Sequence, residues 1–232
     1  MFRFRAFKAN TNLDICEQYI EGHVKVLKDY GVTNITTNSA DWVNWDCIYG
    51  IVAEKDDGTI VGGIRIQKAD GIHQLPIEKA IGKMDPTIHK IVNEYIPTGV
   101  GELCALWNAK EVAGMGLSLL LTRAGISMVN QVNCNILLGI CAEYTMKMFS
   151  RVGFVVDNSF GNKGEFPYPN ENYITRVLGI LNAKNLSTAE EFDRQRMLDL
   201  RNKPMQRFTE SGPGGIALEV EYLLSLLQTS QI

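Results

Sequence analysis

The chain has 232 residues and a formal net charge of −3; 45% of its residues are hydrophobic and 21% charged. That length fits one large domain or a domain with an appendage, and the apolar fraction excludes disorder along the whole chain. The near-neutral balance provides no electrostatic footprint for nucleic acid or an anionic membrane surface, so neither is expected as a partner.

The N-terminal stretch Met1 to Lys8 alternates aromatic and charged residues and has no apolar h-region. It reads as a strand, not a signal peptide. Asn10 to Asn12 offer N-caps, and Leu13, Cys16, Ile20, Val24 and Leu27 recur at helical spacing as far as Gly31. The Ile- and Val-rich runs Cys47 to Glu54 and Thr59 to Gln67 flank Asp56-Asp57-Gly58, which predicts a tight hairpin. Short helices are predicted at Leu75 to Ile81 and Ile88 to Tyr95, between Pro and Gly breaks.

Glu102 to Asn108 predicts a strand and Lys110 to Gly116 a compact loop. Leu117, Leu120, Leu121, Ala124 and Met128 then mark an amphipathic helix. The run Ala124 to Ala142 holds no charged residue, yet Asn130, Gln131, Asn133 and Asn135 at its centre argue against a membrane span. It divides into a helix end, a turn and a buried strand, Ile136 to Cys141. A helix from Tyr144 to Val152 stops at Gly153, and Phe154 to Val156 restarts a strand. Another strand, Tyr173 to Leu181, follows the Gly/Pro-rich loop Phe160 to Pro169.

Composition shifts at Asn185. Ser187 to Glu190 forms a capping-box pattern that opens a charged helix to about Lys203, before Pro204. After the Ser211 to Gly215 break, Ile216 to Gln228 predicts a last helix, with Ile216, Val220, Leu223, Leu224 and Leu227 in one stripe. The chain is thus expected to comprise a main domain, residues 1–186, and a helical extension, residues 187–232. Such a stripe needs burial against the main domain or a second copy of the chain, so a homodimer is one expectation.

Cys16, Cys47, Cys104, Cys134 and Cys141 have no paired spacing, and His23, His73 and His89 stand alone. Neither a disulfide framework nor a metal site is expected, and a reducing cytoplasm is the simplest compartment.

The informative junction is where Glu102 to Asn108 empties through Lys110 to Gly116 into the helix at Leu117 and Ser118. Unpaired N–H groups and the dipole at a helix start make a phosphate site. Gly114 and Gly116 allow an anion to approach the backbone. The bland alternative is that the glycines only shape a turn. No Gly-Lys-Ser/Thr is present, and Leu119 occupies the place of a third dinucleotide glycine.

In this order the segments resemble the GNAT acyltransferases. The family's acyl-CoA signature, Gln/Arg-x-x-Gly-x-Gly/Ala after the fourth strand, reads Glu111-Val-Ala-Gly114-Met-Gly116 here, with Glu in place of Gln or Arg. The family's strand and helix ending in Gly-Phe match Ile136 to Cys141 and Tyr144 to Gly153-Phe154. The resemblance covers about residues 1–182 in element order. It implies an α/β (α+β) GNAT fold, a mixed, mostly antiparallel central sheet flanked by helices, here with the C-terminal helical extension. It also implies an acyltransferase that moves an acyl group, acetyl first among the candidates, from acetyl-CoA or another acyl-CoA to a small-molecule amine by direct attack. Acyl-CoA would bind at Leu106, Trp107, Asn108, Val112, Ala113, Gly114, Met115, Gly116, Leu117 and Ser118.

A narrower likeness, to the acyl-homoserine-lactone and N-acyl amino acid synthase branch, rests on Asp41 and Asp46, Asp57-Gly58, Gly63-Ile-Arg65-Ile66, Leu75-Pro76 and Glu102-Leu-Cys104. Lys147 to Phe154 also fits that branch, whereas Ala105 stands where its Arg is found. It implies a long-chain acyl thioester donor. A third reading is a non-catalytic GNAT-like binding module. Where many GNAT enzymes carry an acid Tyr the chain has Phe149, so either Tyr144 replaces it or the thiolate leaves unassisted, its pKa being about 8.5.

Attack by an amine on a thioester needs a base, and Glu102 is the candidate. On a regular strand Glu102, Cys104 and Leu106 share one face, and Leu103, Ala105 and Trp107 the other. The alternative for Glu102 is a strand-start carboxylate paired with Lys or Arg. An N–H near Trp107 or Asn108 would polarise the carbonyl. Arg65 reads either as a carboxylate clamp for an amino-acid-like acceptor or as an exposed strand arginine. Cys104 is the other acceptor-site candidate, although it and Cys141 also read as buried structural thiols. Trp42, Trp45 and Trp107 read as packing residues, and the histidines as surface residues.

Overall fold

The computed structural model describes residues 1–29, 31 and 40–226. The elements in chain order are β1 (Phe2–Lys8), α1 (Leu13–Asp29), β2 (Ile48–Lys55), β3 (Ile60–Lys68), α2 (Pro76–Ile81), α3 (Thr87–Tyr95), β4 (Val100–Asn108) and α4 (Leu117–Ser127). There follow β5 (Ile136–Ala142), α5 (Met146–Arg151), β6 (Val155–Val156), β7 (Glu165–Pro167), β8 (Ile174–Ile180), α6 (Glu191–Asn202), β9 (Met205–Ser211) and β10 (Ala217–Leu223). The strands form one sheet in the order β6-β8-β5-β4-β3-β2-β1-β10-β9, with β7 on β8. β4–β5 and β1–β10 are parallel and the other pairs antiparallel, the mixed, mostly antiparallel sheet the sequence implies. Among the described residues no helix is long and apolar enough to cross a membrane.

Alternation in the strands sorts side chains onto two faces. Ile51, Ile64, Ile66 and Leu103 pack under α4 with Leu120, Leu121 and Ala124. Phe7, Ile48, Val52 and Trp107 pack under α1 with Cys16 and Tyr19. A separate cluster, including Ile77, Ile88 and Val92, seats α2 and α3 beside α1 on that second face.

The C-terminal segment differs from expectation. Residues 217–223 form β10, not a helix, and β10 pairs with both β1 and β9. Leu218, Val220, Tyr222 and Leu224 are all buried and alternate with Glu219, Glu221 and Leu223, a period of two that coexists with the helical spacing. Pairing decides between them: Phe4 of β1 meets Tyr222 edge-on at 5.4 Å, and Arg3 bonds Glu221 at 3.0 Å. The stripe on which a dimer was expected therefore does not form; Leu227 lies outside the described residues. The Ser187 capping box does not form either. α6 starts at Glu191 with Glu190 as its N-cap and no side-chain cap, and the Thr188 hydroxyl donates to the Gly153 carbonyl. Residues beyond 186 share the main core through Met197, Leu200, Leu218, Val220 and Tyr222.

Candidate functional site

β4 and β5 pair at Val100–Ile136, Gly101–Leu137 and Glu102–Leu138 and no further, although β4 runs on to Asn108 and β5 to Ala142. Beyond Glu102 the two strands part, opening backbone groups at the centre of the sheet. In the same stretch β4 bulges. Arg65 pairs with Cys104 and Gly63 with Trp107, so Ala105 and Leu106 together oppose Ile64, with Ala105 at φ +50°. A bulge breaks the alternation of side chains. Cys104 and Glu102 face α1 and α2, while Leu106 turns to the α4 face and Trp107 to the α1 face. The expected grouping of Leu106 with Glu102 is thereby corrected.

The ladder also separates the two candidate N–H donors. The Ala109 N–H donates to the Val61 carbonyl at 2.7 Å, and Trp107, paired with Gly63, points the same way. The Asn108 N–H is turned to the opposite side, toward the opening.

Glu102 is 1% exposed. Its Oε2 accepts the Ile77 N–H at 2.7 Å, so its partner is backbone at the start of α2 rather than a Lys or Arg. Burial pushes its carboxyl up to about 8, against the pull of the Ile77 N–H and the Arg65 charge. Arg65, two residues from the Glu102 partner Gln67 on the adjacent strand, is 4% exposed. The reading of an exposed arginine is wrong: β3 is internal to the sheet and α1 covers this face. The Arg65 Nε lies 3.4 Å from Cys104 Sγ, and its Cζ is 4.7 Å from the centre of the Trp42 ring. Among the described residues no carboxylate ion-pairs with it; Glu102 acts on it only through space.

α1 completes this face. The Tyr19 hydroxyl donates to the Ala105 carbonyl at the bulge, and its ring packs edge-on against Trp42 at 6.1 Å and Trp107 at 5.9 Å. His23 lies 6.3 Å from Tyr19 and is held down to about 4 by burial and the Arg65 charge, so it is neutral near pH 7. His73 and His89 contact Asp70 and Glu78 at 2.7 and 2.8 Å. The view of the histidines as partnerless surface residues is corrected. Sequence reading missed Tyr19 and His23, although both stand on the same helical face as Cys16, at i+3 and i+7. Burial pushes the Cys104 and Cys141 thiols up to about 11, so neither is a ready nucleophile.

On the other side of the opening lies the glycine loop. Gly114 (φ +78°) and Gly116 (φ +91°) both adopt the left-handed region, and a Cβ on Gly114 would meet nothing within 4 Å. Gly116 is the N-cap of α4 and supplies no side-chain cap, leaving the Leu117 and Ser118 N–H groups without intrahelical partners. Ser118 Oγ donates to Asn108 Oδ1, tying the helix start to the end of β4. Val112 is buried beneath the loop, while Ala113 and Met115 carry its backbone over to the helix. Glu111, the departure from the signature, is paired with Lys55. These features fit an anion in the loop. Gly114→Glu meets open space but places a side chain at φ +78°, a strain of about 1–2 kcal/mol; with the fold verified by circular dichroism, the variant is expected to lose CoA binding because a carboxylate stands in the phosphate position. Unchanged affinity for CoA in calorimetry would exclude the loop as the site.

Tyr144 is 86% exposed on the turn after β5, and Phe149 packs edge-on against Phe154 at 5.5 Å. A cavity of about 500 Å³ opens beside Trp107, bordered by Lys25, Val26, Ile60 and Lys110.

No protein-family model and no curated protein sequence matches the chain. Among solved structures it is similar to FeeM, an N-acyl amino acid synthase from uncultured soil microbes, at 14% identity over 80% of this chain and 99% of that one, TM-score 0.57. It is also similar to BjaI, a CoA-dependent acyl-homoserine lactone synthase solved with SAM and isopentyl-CoA, at 13% identity over 87% and 90%, TM-score 0.53. Escherichia coli ElaA aligns at 9% identity over 77% and 99%, TM-score 0.56. At such identities the fold is what is shared. The chain has the GNAT fold, as its motif order implied, and two of these neighbours come from the branch that the narrower likeness singled out.

Proposed function

We propose that the chain transfers an acyl group from an acyl-CoA to the amine of an acceptor that also bears a carboxylate. The observation that carries this reading is Arg65: a buried guanidinium with no carboxylate partner among the described residues, on the strand beside Glu102. A buried charge without a partner is costly, and a bound carboxylate would supply the missing bidentate partner. Glu102, which stands six residues before Asn108 on β4 and so roughly 15–20 Å from it along the strand, takes the proton from the acceptor ammonium through a relay of water. The Asn108 N–H meets the oxygen of the thioester carbonyl as charge develops there. The loop from Val112 to Ser118 holds the pyrophosphate, and the pantetheine arm runs past Leu106 and Trp107 between the parted strands. The five cysteines are unpaired, which suits a reducing cytoplasm.

For the donor, the sequence expectation of acetyl stands beside the longer chains named for the neighbours. Release of free thiol, measured with acyl-CoAs from acetyl to long-chain against a panel of amino acids and their lactones, reads both substrates. No release from any pair would leave only the binding-module reading. With the true acceptor in hand, Arg65→Met is expected to raise its KM about 10–100-fold, the worth of one charge-assisted pair. The KM for the donor should not move. An unchanged acceptor KM would remove Arg65 from recognition.

A further inference from the structure

Away from Glu102 and the glycine loop, three side chains of different chemistry meet where β2 begins and β3 ends. The donor atoms of Cys47, Asp70 and His73 all lie within 4.8 Å of one another. Cys47 immediately precedes β2, and its carbonyl accepts the Lys68 N–H at 2.9 Å, which fixes it against the end of β3. Asp70 and His73 belong to one turn. Asp70 Oδ1 accepts the Ile72 and His73 N–H groups at 2.9 and 2.8 Å, and Oδ2 lies 2.7 Å from His73 Nδ1. The imidazole stacks on Trp45, with centroids 4.0 Å apart and planes 24° from parallel. Carboxylate and ring are therefore held before any ligand arrives. Cys47 is buried while Asp70 and His73 reach solvent, so the set is closed toward the protein and open outward.

We infer that Cys47, Asp70 and His73 form a three-donor site for a thiophilic divalent cation, best matched by zinc, with water in the fourth position. Zinc takes sulfur, nitrogen and oxygen donors at about 2.0–2.3 Å in a tetrahedron, which places the donors about 3–4 Å apart. The present donors, 2.7 Å apart for Asp70 and His73 and all within 4.8 Å of one another, bracket that spacing. Magnesium and calcium, which prefer all-oxygen shells, are poor matches for a thiol and an imidazole. Binding would expel the thiol proton, while the imidazole presents its unprotonated nitrogen to the metal and keeps its one N–H on the other. The turn that carries two of the donors continues through Gln74, whose carbonyl accepts Gln67 Nε2 at 3.0 Å, into α2, where the Ile77 N–H holds Glu102. The cation would fasten the segment from which Glu102 is oriented.

The test uses the full chain, stripped with chelator and titrated with zinc by calorimetry, then with cobalt by absorption. One equivalent of each metal should bind, and the cobalt form should show a thiolate-to-metal charge-transfer band. Cys47→Ser should abolish that band, and His73→Gln should remove stoichiometric zinc binding. His73 is partly exposed, so its variant should fold, as circular dichroism would verify, even where a change at buried Cys47 does not. No bound metal, a cobalt form without a thiolate band, or unchanged binding in folded His73→Gln would each overturn the site.

Discussion

Glu102→Gln is expected to lower turnover by roughly 10²–10⁴-fold while leaving CoA affinity intact. Gln keeps the size of the side chain and an oxygen for the Ile77 N–H, so the fold and the start of α2 should hold. What is lost is basicity. Because burial raises the carboxyl from 4.5 to about 8, Glu102 is mostly protonated in the free protein at pH 7. The parent kcat/KM should therefore rise with pH and level off above about 8. An acceptor ammonium joined to Glu102 by the water relay favours the carboxylate, so the profile of kcat should begin its rise at lower pH. A raised carboxyl pKa also means the native state binds more protons than the unfolded chain between about 4.5 and 8. Stability should then fall as pH rises through that window, and Glu102→Gln should gain stability relative to the parent from about pH 5 to about pH 8 and level off above that, by thermal melts. Near-normal turnover of the variant on the true acceptor would exclude Glu102 as the base. In the same assay Tyr144→Phe should leave turnover unchanged if the thiolate departs without a side-chain acid, as the exposure of Tyr144 suggests.

Much of this arrangement is legible in the sequence because local rules were enough. Asp56-Asp57-Gly58 specifies a hairpin through backbone conformations that few other residues adopt, and Gly114 and Gly116 specify a loop in the same way. The rest depends on partners distant in sequence. Nothing local announces that Ala105 sits at positive φ; the bulge is held from outside, by the Tyr19 hydroxyl on its carbonyl. Arg65 reads as exposed until α1 and Trp42 are known to cover it. The segment Ile216 to Leu224 satisfies helical and strand periodicities at once, and pairing with β1 on one side and β9 on the other selects the strand. The alternation Leu218, Val220, Tyr222, Leu224 was visible, but a stripe of aliphatics at helical spacing masked it.

Arg123→Met is expected to be among the most destabilising single substitutions in this chain, at about 3 kcal/mol. Arg123, in the second turn of α4, is 2% exposed and meets Asp193 of α6 at 2.5 Å and Glu210 of β9 at 3.1 Å, both fully buried. Glu210 also binds Arg196 at 2.8 Å and the Tyr222 hydroxyl at 2.7 Å, and Asp193 binds Arg151 at 2.9 Å. One cation thus joins α4 to the C-terminal helix and hairpin. Removing it leaves buried carboxylates with incomplete pairing, and breaking such a pair commonly costs about 3–5 kcal/mol. The partners that remain, Arg151 and Arg196, place the loss at the low end. For a chain of this size about 3 kcal/mol lowers Tm by roughly 6–12 °C. Arg207→Met is the control: Arg207 is 71% exposed and pairs with Glu221, and an exposed pair contributes about 1 kcal/mol or less. The buried network has a second consequence, because the tip of the hairpin it anchors bears on the glycine loop. Pro213 Cδ would stand 2.7 Å from a Cβ on Gly116, and Met115 O the same distance from a Cβ on Gly212. Loosening the hairpin should therefore weaken CoA binding below the melting transition, in a variant whose far-ultraviolet circular dichroism is still native. Equal melting temperatures for the Arg123 and Arg207 variants would show that the network does not hold the C-terminal segment to the sheet.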